Sequence, residues 1–249
     1  MLSIVVWRWG TRYNVDYVNR LYSMLSRHLH IKHQLYCITD DPINLNKNIK
    51  AIPLWPSTLQ RARRLQVFSK NISQYVDSER ILHLDIDCII VNDITPLVER
   101  SEPLVMWKAW AKSTSVPYNA SIILRNANVL SSVWDDYTKD GHNIELEAKK
   151  LGLWTTLCHQ ARDKHTKEIM HLKYTQLDHT DDDQAVLSLY AQKLNPPVWS
   201  ENDGIYKFGW NGFANKNELP PNARIVFFNG SIDQNLIDIK YEWIKNNWK

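Results

Sequence analysis

The chain has 249 residues, 44% hydrophobic and 23% charged, with a formal net charge of +3. That is enough for one large domain with a sizeable core, and no window approaches the ~20 apolar residues of a membrane span. The charge is too slight to imply nucleic-acid or membrane binding by itself, and three cysteines (Cys37, Cys88 and Cys158) are too few and scattered for a disulfide framework or a metal knuckle.

The opening "MLSIVVWRWG" has the short apolar run of a first strand and no small-residue cleavage pattern, as expected of a cytoplasmic protein. "NVDYVNRLYSMLSRHLH" follows with Val15, Val18, Leu21, Tyr22, Leu25 and Leu29 at helical spacing. "HQLYCITDDP" and "NIKAIPLW" give second and third strands, each closed by proline, and Leu59, Ala62, Leu65, Phe68 and Ile72 predict a helix. "RILHLDIDCIIV" is the next strand. This alternation argues for a parallel α/β sheet that binds ligands at the carboxyl ends of its strands.

Beyond Pro96 the alternation weakens. "EPLVMW" and "YNASIILRN" read as strands and "VLSSVWDDYTK" as a helix, while residues 139 to 180 are polar and give no clear pattern. "DDDQAVLSLYAQK" predicts a helix behind acidic residues suited to its positive dipole end. A last strand, "ARIVFFNG", precedes a tail helix carrying Ile237, Tyr241, Ile244 and Trp248. With no repeat or linker, residues 1–249 read as a single domain.

Asp85 and Asp87 interrupt the apolar run of the fourth strand. Side chains at i and i+2 of an extended segment point the same way, with Cα atoms ~6 to 7 Å apart, so the two acids can converge on one ligand. Hard divalent cations bind oxygen and commonly pair one or two carboxylates with substrate phosphates. The alternative is a turn-forming acid at a strand end, because any D-x-D is a weak signal alone. The seven glycines form neither G-x-G-x-x-G nor G-x-x-x-x-G-K-S/T, so a bound phosphate needs another source of positive charge.

"ARRLQVFSKNISQYVDSERILHLDIDCIIVNDITPLV" resembles the core of GT-A-fold glycosyltransferases, such as the glycogenin-like and bacterial lipopolysaccharide enzymes. "VVWRWGTRYNVDYVNRLYSMLSRHL" resembles their first strand, nucleotide-binding loop and helix, and "YCITDDP" their second strand. "YNASIILRN" is similar to the segment usually written F-N-S-G-V, "DDDQAVL" to a D-Q helix start, and "ARIVFFNGS" to the strand leading to a metal-binding His and a Gly. Six motifs in order span nearly the whole chain.

The resemblance implies a mixed, mainly parallel sheet flanked by helices, with 1–98 as the nucleotide-binding half and 99–249 as the acceptor and sugar half. It implies that Asp85 and Asp87 hold Mn²⁺ or Mg²⁺ on the diphosphate of a nucleotide sugar, most simply a UDP-sugar. Tyr13 would stack on the base, with Thr11 and Asp40 helping to read it. Arg64 stands where many relatives carry Lys, offering a fork of donors in place of a point charge. Asn119 and Ser121 would line the sugar site, Asp183 and Gln184 would lie beside the transferred sugar, and Lys207 would reach the leaving diphosphate. Asp182 or Asp183 is the base that an inverting route needs, although the nearest patterns belong to retaining enzymes, so retention is expected.

One departure stands out. Where relatives place the closing His, this chain has "FFNG", so Phe227 or Asn229 takes its position, and Asn229 offers only an amide oxygen.

The acceptor expected is a saccharide or glycan, with a modified DNA base second because of "RARR" and the loop aromatics Trp107, Trp110, Trp154, Trp199 and Trp210. A sugar-nucleotide nucleotidyltransferase also fits two acids and Mg²⁺, but it normally brings a Gly-rich N-terminal loop, and "WGTRY" has one Gly. A transferase-like binding protein without catalysis fits the missing His. His28, His30 and His33 lack an acid or Cys at ligand spacing, and His83 alternates with Leu82 and Leu84 as a packed strand residue.

Overall fold

The computed structural model describes residues 1–56, 61–109, 115–153, 182–209, 213, 216–228 and 240–249. β1 (Leu2–Arg8) is buried along its whole length, as an apolar run covered on both faces must be. Leu2, Ile4 and Val6 pack on one side with α1 (Asp16–His28), through Val18, Leu21 and Leu25. Val5 and Trp7 point to the other side and a second core. β2 (His33–Thr39) and β3 (Lys50–Pro53) pair parallel to this centre.

β4 (Arg80–Leu84) pairs parallel with β1, and β5 (Cys88–Ile90) follows after a break. After α2 (Thr95–Val98), β6 (Leu104–Lys108) and β7 (Tyr118–Asn126) enter antiparallel to one another, with β7 antiparallel to β4. Then come α3 (Val133–Lys150), α4 (Asp183–Ala191), β8 (Val198–Trp199), β9 (Ile205–Lys207), β10 (Ile225–Phe227) and α5 (Glu242–Asn247). The seven-stranded sheet runs β3-β2-β1-β4-β7-β6-β8, mixed but mainly parallel, and a three-stranded sheet runs β5-β10-β9. No helix of the described residues is long and apolar enough to cross a membrane.

Three expectations need correction. "RILHLDIDCIIV" is two strands in two sheets, because carboxylates in the middle of a doubly covered strand would be costly to bury. The chain leaves the large sheet at Leu84 and joins the small one at Cys88, with Asp85 and Asp87 in the gap. The helix read across residues 59 to 72 is, where described, two 3-10 segments (Arg61–Phe68 and Lys70–Gln74). Ser69 separates them, its side chain accepting from Asn71 N. Trp107 and Trp199 are core residues of β6 and β8, not loop aromatics, whereas Trp110, Trp154 and Trp210 lie outside the described residues.

Gly204 shows how closely the small sheet is built. Its φ is +82°, and a Cβ there would meet Asn222 O at 2.2 Å, so only glycine lets β9 start beside β10. Gly204 O accepts from Arg224 N and Ile225 N, fixing the register that places Phe227 opposite Lys207 and Cys88.

Candidate active site

The topology gathers the predicted residues at one edge. β1, β2 and β4 end there, and β7, running the other way, begins there. Asp85 N donates to Ser121 O at 2.8 Å, and Phe228 N donates to Asp87 O at 2.8 Å, so each acid is fixed by a different sheet.

Arg64 is the hub. Its guanidinium pairs with Asp85 Oδ1, meets Asp183 Oδ2 at 3.2 Å, and donates to Ala120 O at 3.2 Å. Asp183 comes from the first turn of α4 and is 5% exposed at the side chain, against 19% for Asp85 and 20% for Arg64. Burial works to lower the Arg64 pKa, but Asp85 and then Asp183 oppose it and raise the pKa overall. The guanidinium's donors are thus divided between two protein carboxylates.

Asp87 is held differently. The Tyr13 hydroxyl donates to its Oδ2 at 3.0 Å. Burial first, and then the charge of Asp85, push the Asp87 carboxyl up to about 7 against the opposing effects of Tyr13 and Arg64. Burial and the neighbouring Asp87 raise the Tyr13 pKa, which keeps its hydroxyl a donor.

The remaining predicted residues take distinct places. Gln184 Oε1 accepts from Ala120 N at 3.4 Å, tying α4 to the start of β7, and Asn119 Oδ1 accepts from Ser121 N at 2.8 Å. Asp182 caps α4, its Oδ1 accepting from Ala185 N at 3.1 Å while its own N–H donates to buried Glu145. Asp40 accepts from Gly10 N at 3.0 Å, joining the loop that carries exposed Thr11 to the end of β2. Lys207 is buried in β9, and burial pushes its pKa down to about 7. Asn229, the proposed closing metal ligand, lies outside the described residues. Phe227 is core: its ring stands 4.8 Å from that of Trp107.

The sequence reading missed Arg8. Buried at the end of β1, it donates to Tyr13 O at 3.3 Å and to Asp41 O at 2.7 Å, so it shapes the loop that presents Tyr13. Its signal was "WRW", a guanidinium closing an apolar strand. Among the described residues, no group of three or more His, Cys, Asp or Glu is placed to hold a metal ion.

No family model matches the chain, and no curated protein matches it in sequence. Its likeness is to solved structures. One is the galactosyltransferase LgtC in complex with donor and acceptor sugar analogs, with 12% identity over 93% of this chain and 88% of that one, at a TM-score of 0.54. An active-site mutant of LgtC gives 12% identity over 98% and 93%, also at 0.54. The glycosyltransferase GlyE of Streptococcus pneumoniae TIGR4 gives 16% over all of this chain, at 0.61. This chain spans 62% of the GlyE chain. The fold is therefore the GT-A-like fold of these glycosyltransferases.

Proposed function

We propose that the chain is a glycosyltransferase that moves a sugar from a nucleotide sugar, a UDP-sugar in the simplest reading, to a hydroxyl of a saccharide. The observation that carries this reading is the Arg64 bridge between Asp85 and Asp183 beside the Tyr13–Asp87 pair. It places cation, carboxylates and an aromatic ring at the strand ends of a fold shared with glycosyltransferases. LgtC was crystallised with donor and acceptor sugar analogs, which favours a saccharide acceptor. The alternative of a modified DNA base loses part of its support, because Trp107 and Trp199 are buried. In this reading residues 1–249 act as one cytoplasmic domain, with 1–98 binding the nucleotide and 99–249 the sugar and acceptor.

The donor set fits a hard divalent cation. Two carboxylates lie close enough for Asp85 to raise the proton affinity of Asp87, and a cation relieves that repulsion. Asp85 and Asp87 would hold Mn²⁺ or Mg²⁺, which would supply Lewis-acid stabilisation of the departing diphosphate. Arg64 adds fixed positive charge where negative charge develops, and Lys207 serves the same diphosphate. Tyr13 offers its ring to the base, and Thr11 and Asp40 border that ring's loop. Asn119, Ser121 and Gln184 frame the sugar at the start of β7. Asp183 lies beside the transferred sugar, and Asp182 serves through the helix it caps. The reaction course we favour is retaining, with no protein nucleophile required.

The test is Asp87→Ala. Metal-dependent hydrolysis of a UDP-sugar falls by at least about a hundredfold, the scale of a lost electrostatic contact to the transition state, while the cooperative melt persists. Undiminished turnover removes the acidic pair from the mechanism. Thermal stabilisation by UDP-, GDP- and dTDP-sugars, with and without Mn²⁺, identifies the donor class. A second reading, a binding protein without catalysis, is favoured by Phe227, whose burial against Trp107 puts a hydrocarbon ring at one of the two positions open to the closing ligand. Turnover with either ion excludes it.

A further inference from the structure

Arg64 lies on a 3-10 segment of eight residues, Arg61–Phe68, longer than the three or four over which such geometry usually sustains itself. Something beneath must hold it. The Arg64 guanidinium carbon lies 5.2 Å from the centre of the Trp7 ring, within cation–π range. The Trp7 indole stacks on the His83 imidazole, with centroids 5.7 Å apart and planes 24° from parallel. That imidazole stacks on Phe68, at 4.9 Å and 14°, and Arg125 covers Phe68 at 4.9 Å. Arg64, Trp7, His83 and Phe68 thus form one column with a cation at the Trp7 end, and Arg125 lies beside its other end, against both His83 and Phe68.

The side of the column at His83 and Phe68 is locked by Arg125. Arg125 is fully buried. It donates from Nε to His83 Nε2 at 2.9 Å, from Nη2 to Val67 O at 2.8 Å, and from Nη1 to the carbonyls of Asn126, Ala127 and Val129. The Val67 contact ties the 3-10 segment itself to the arginine that braces the column. His83 accepts through Nε2, so it is the neutral tautomer with the proton on Nδ1. Trp7 Nε1 and His83 Nδ1 are buried and find no hydrogen-bond partner among the described residues. An aliphatic side chain would avoid leaving the Trp7 N–H unpaired, so the gain from an indole here comes through its face.

We propose that Trp7 is a positioning residue: its indole, backed by His83, Phe68 and Arg125, fixes the Arg64 guanidinium where it meets Asp85 and Asp183. The kinetic consequence rests on the glycosyl-transfer reading; the geometry does not. Trp7→Phe keeps a face, whereas Trp7→Leu keeps apolar bulk without one. In donor hydrolysis, Trp7→Leu lowers kcat/KM about two- to thirty-fold, the range of one cation–π contact, and Trp7→Phe recovers most of that loss. In an Arg64→Met background Trp7→Leu costs nothing further, because the group it acts through is gone. Additive losses overturn the proposal.

A second measurement needs neither turnover nor a change at Trp7. The Arg64 Nε proton, assigned by its disappearance in Arg64→Met, resonates upfield of its random-coil position because its guanidinium carbon lies over the indole. A random-coil shift overturns the column. Should the wild-type protein hydrolyse no nucleotide sugar, the functional reading fails, and this resonance still decides whether Trp7 holds Arg64.

Discussion

Two arginines touch the same aromatic column, Arg64 on the Trp7 face and Arg125 beside His83 and Phe68, and their surroundings differ in kind. Arg125 is sealed among main-chain carbonyls and a neutral imidazole, with no carboxylate among its hydrogen-bond partners in the described residues. Arg64 is one-fifth exposed and divides itself between two carboxylates that belong to separate elements. Carbonyls supplied by the fold are permanent partners, so Arg125 is part of the framework. Carboxylates at an open edge can exchange a guanidinium for another cation or share it with a phosphate, so in the proposed reading Arg64 serves a ligand.

The comparison breaks first, and most visibly, at Arg125. Arg125→Met removes the arginine's hydrogen bonds to Val67 O, Ala127 O, Val129 O and His83, while Asn126 O keeps Val129 N; at about 1–3 kcal/mol for each group left unsatisfied, the total expected is at least about 3 kcal/mol. Urea unfolding checks it, and a loss below about 0.5 kcal/mol would show that Arg125 is not framework. Arg64→Lys keeps the charge and loses the fork. It lowers kcat/KM for the donor by at least about tenfold, while the unfolding free energy moves by no more than about 1 kcal/mol. Equal stability losses at the two arginines erase the distinction.

Lys207 sharpens the contrast, because a buried amine can shed its proton where a guanidinium cannot. Its folded pKa lies near 7 and its ordinary value is 10.5. Between these the unfolded chain holds the extra proton, so this group makes stability rise as pH goes from about 7 to 10.5, with no dependence below 7. Lys207→Met flattens that slope in urea titrations at pH 7, 8.5 and 10. An unchanged slope places its titration outside this window.

Much of the frame was readable from residue order alone. β1, β2 and β7, the α1 stripe and the acidic start of α4 all carry periodicity or capping chemistry strong enough to survive tertiary context. The acidic pair was readable too, because two carboxylates inside an apolar run conflict with burial. Its embrace was not: Arg64, Tyr13 and Asp183 approach only when four elements meet, and spacing carries no record of that. β8 and β9, with two and three residues, are too short to show a period. Trp107 and Trp199 were misplaced because a tryptophan beside charged residues looks the same on a groove as in a core. The strand change at Asp85 to Asp87 escaped for a similar reason, since alternation says nothing about which neighbour a strand pairs with.

That strand change makes the acidic pair a caliper whose jaws are mounted on different bodies. Asp85 is anchored to the seven-stranded sheet through Ser121, and Asp87 to the three-stranded one through Phe228. The gap between the carboxylates is therefore set by how two sheets seat against each other rather than by the pitch of one strand. Repacking β9, which reaches Asp87 only through β10, alters the opening between the two carboxylates.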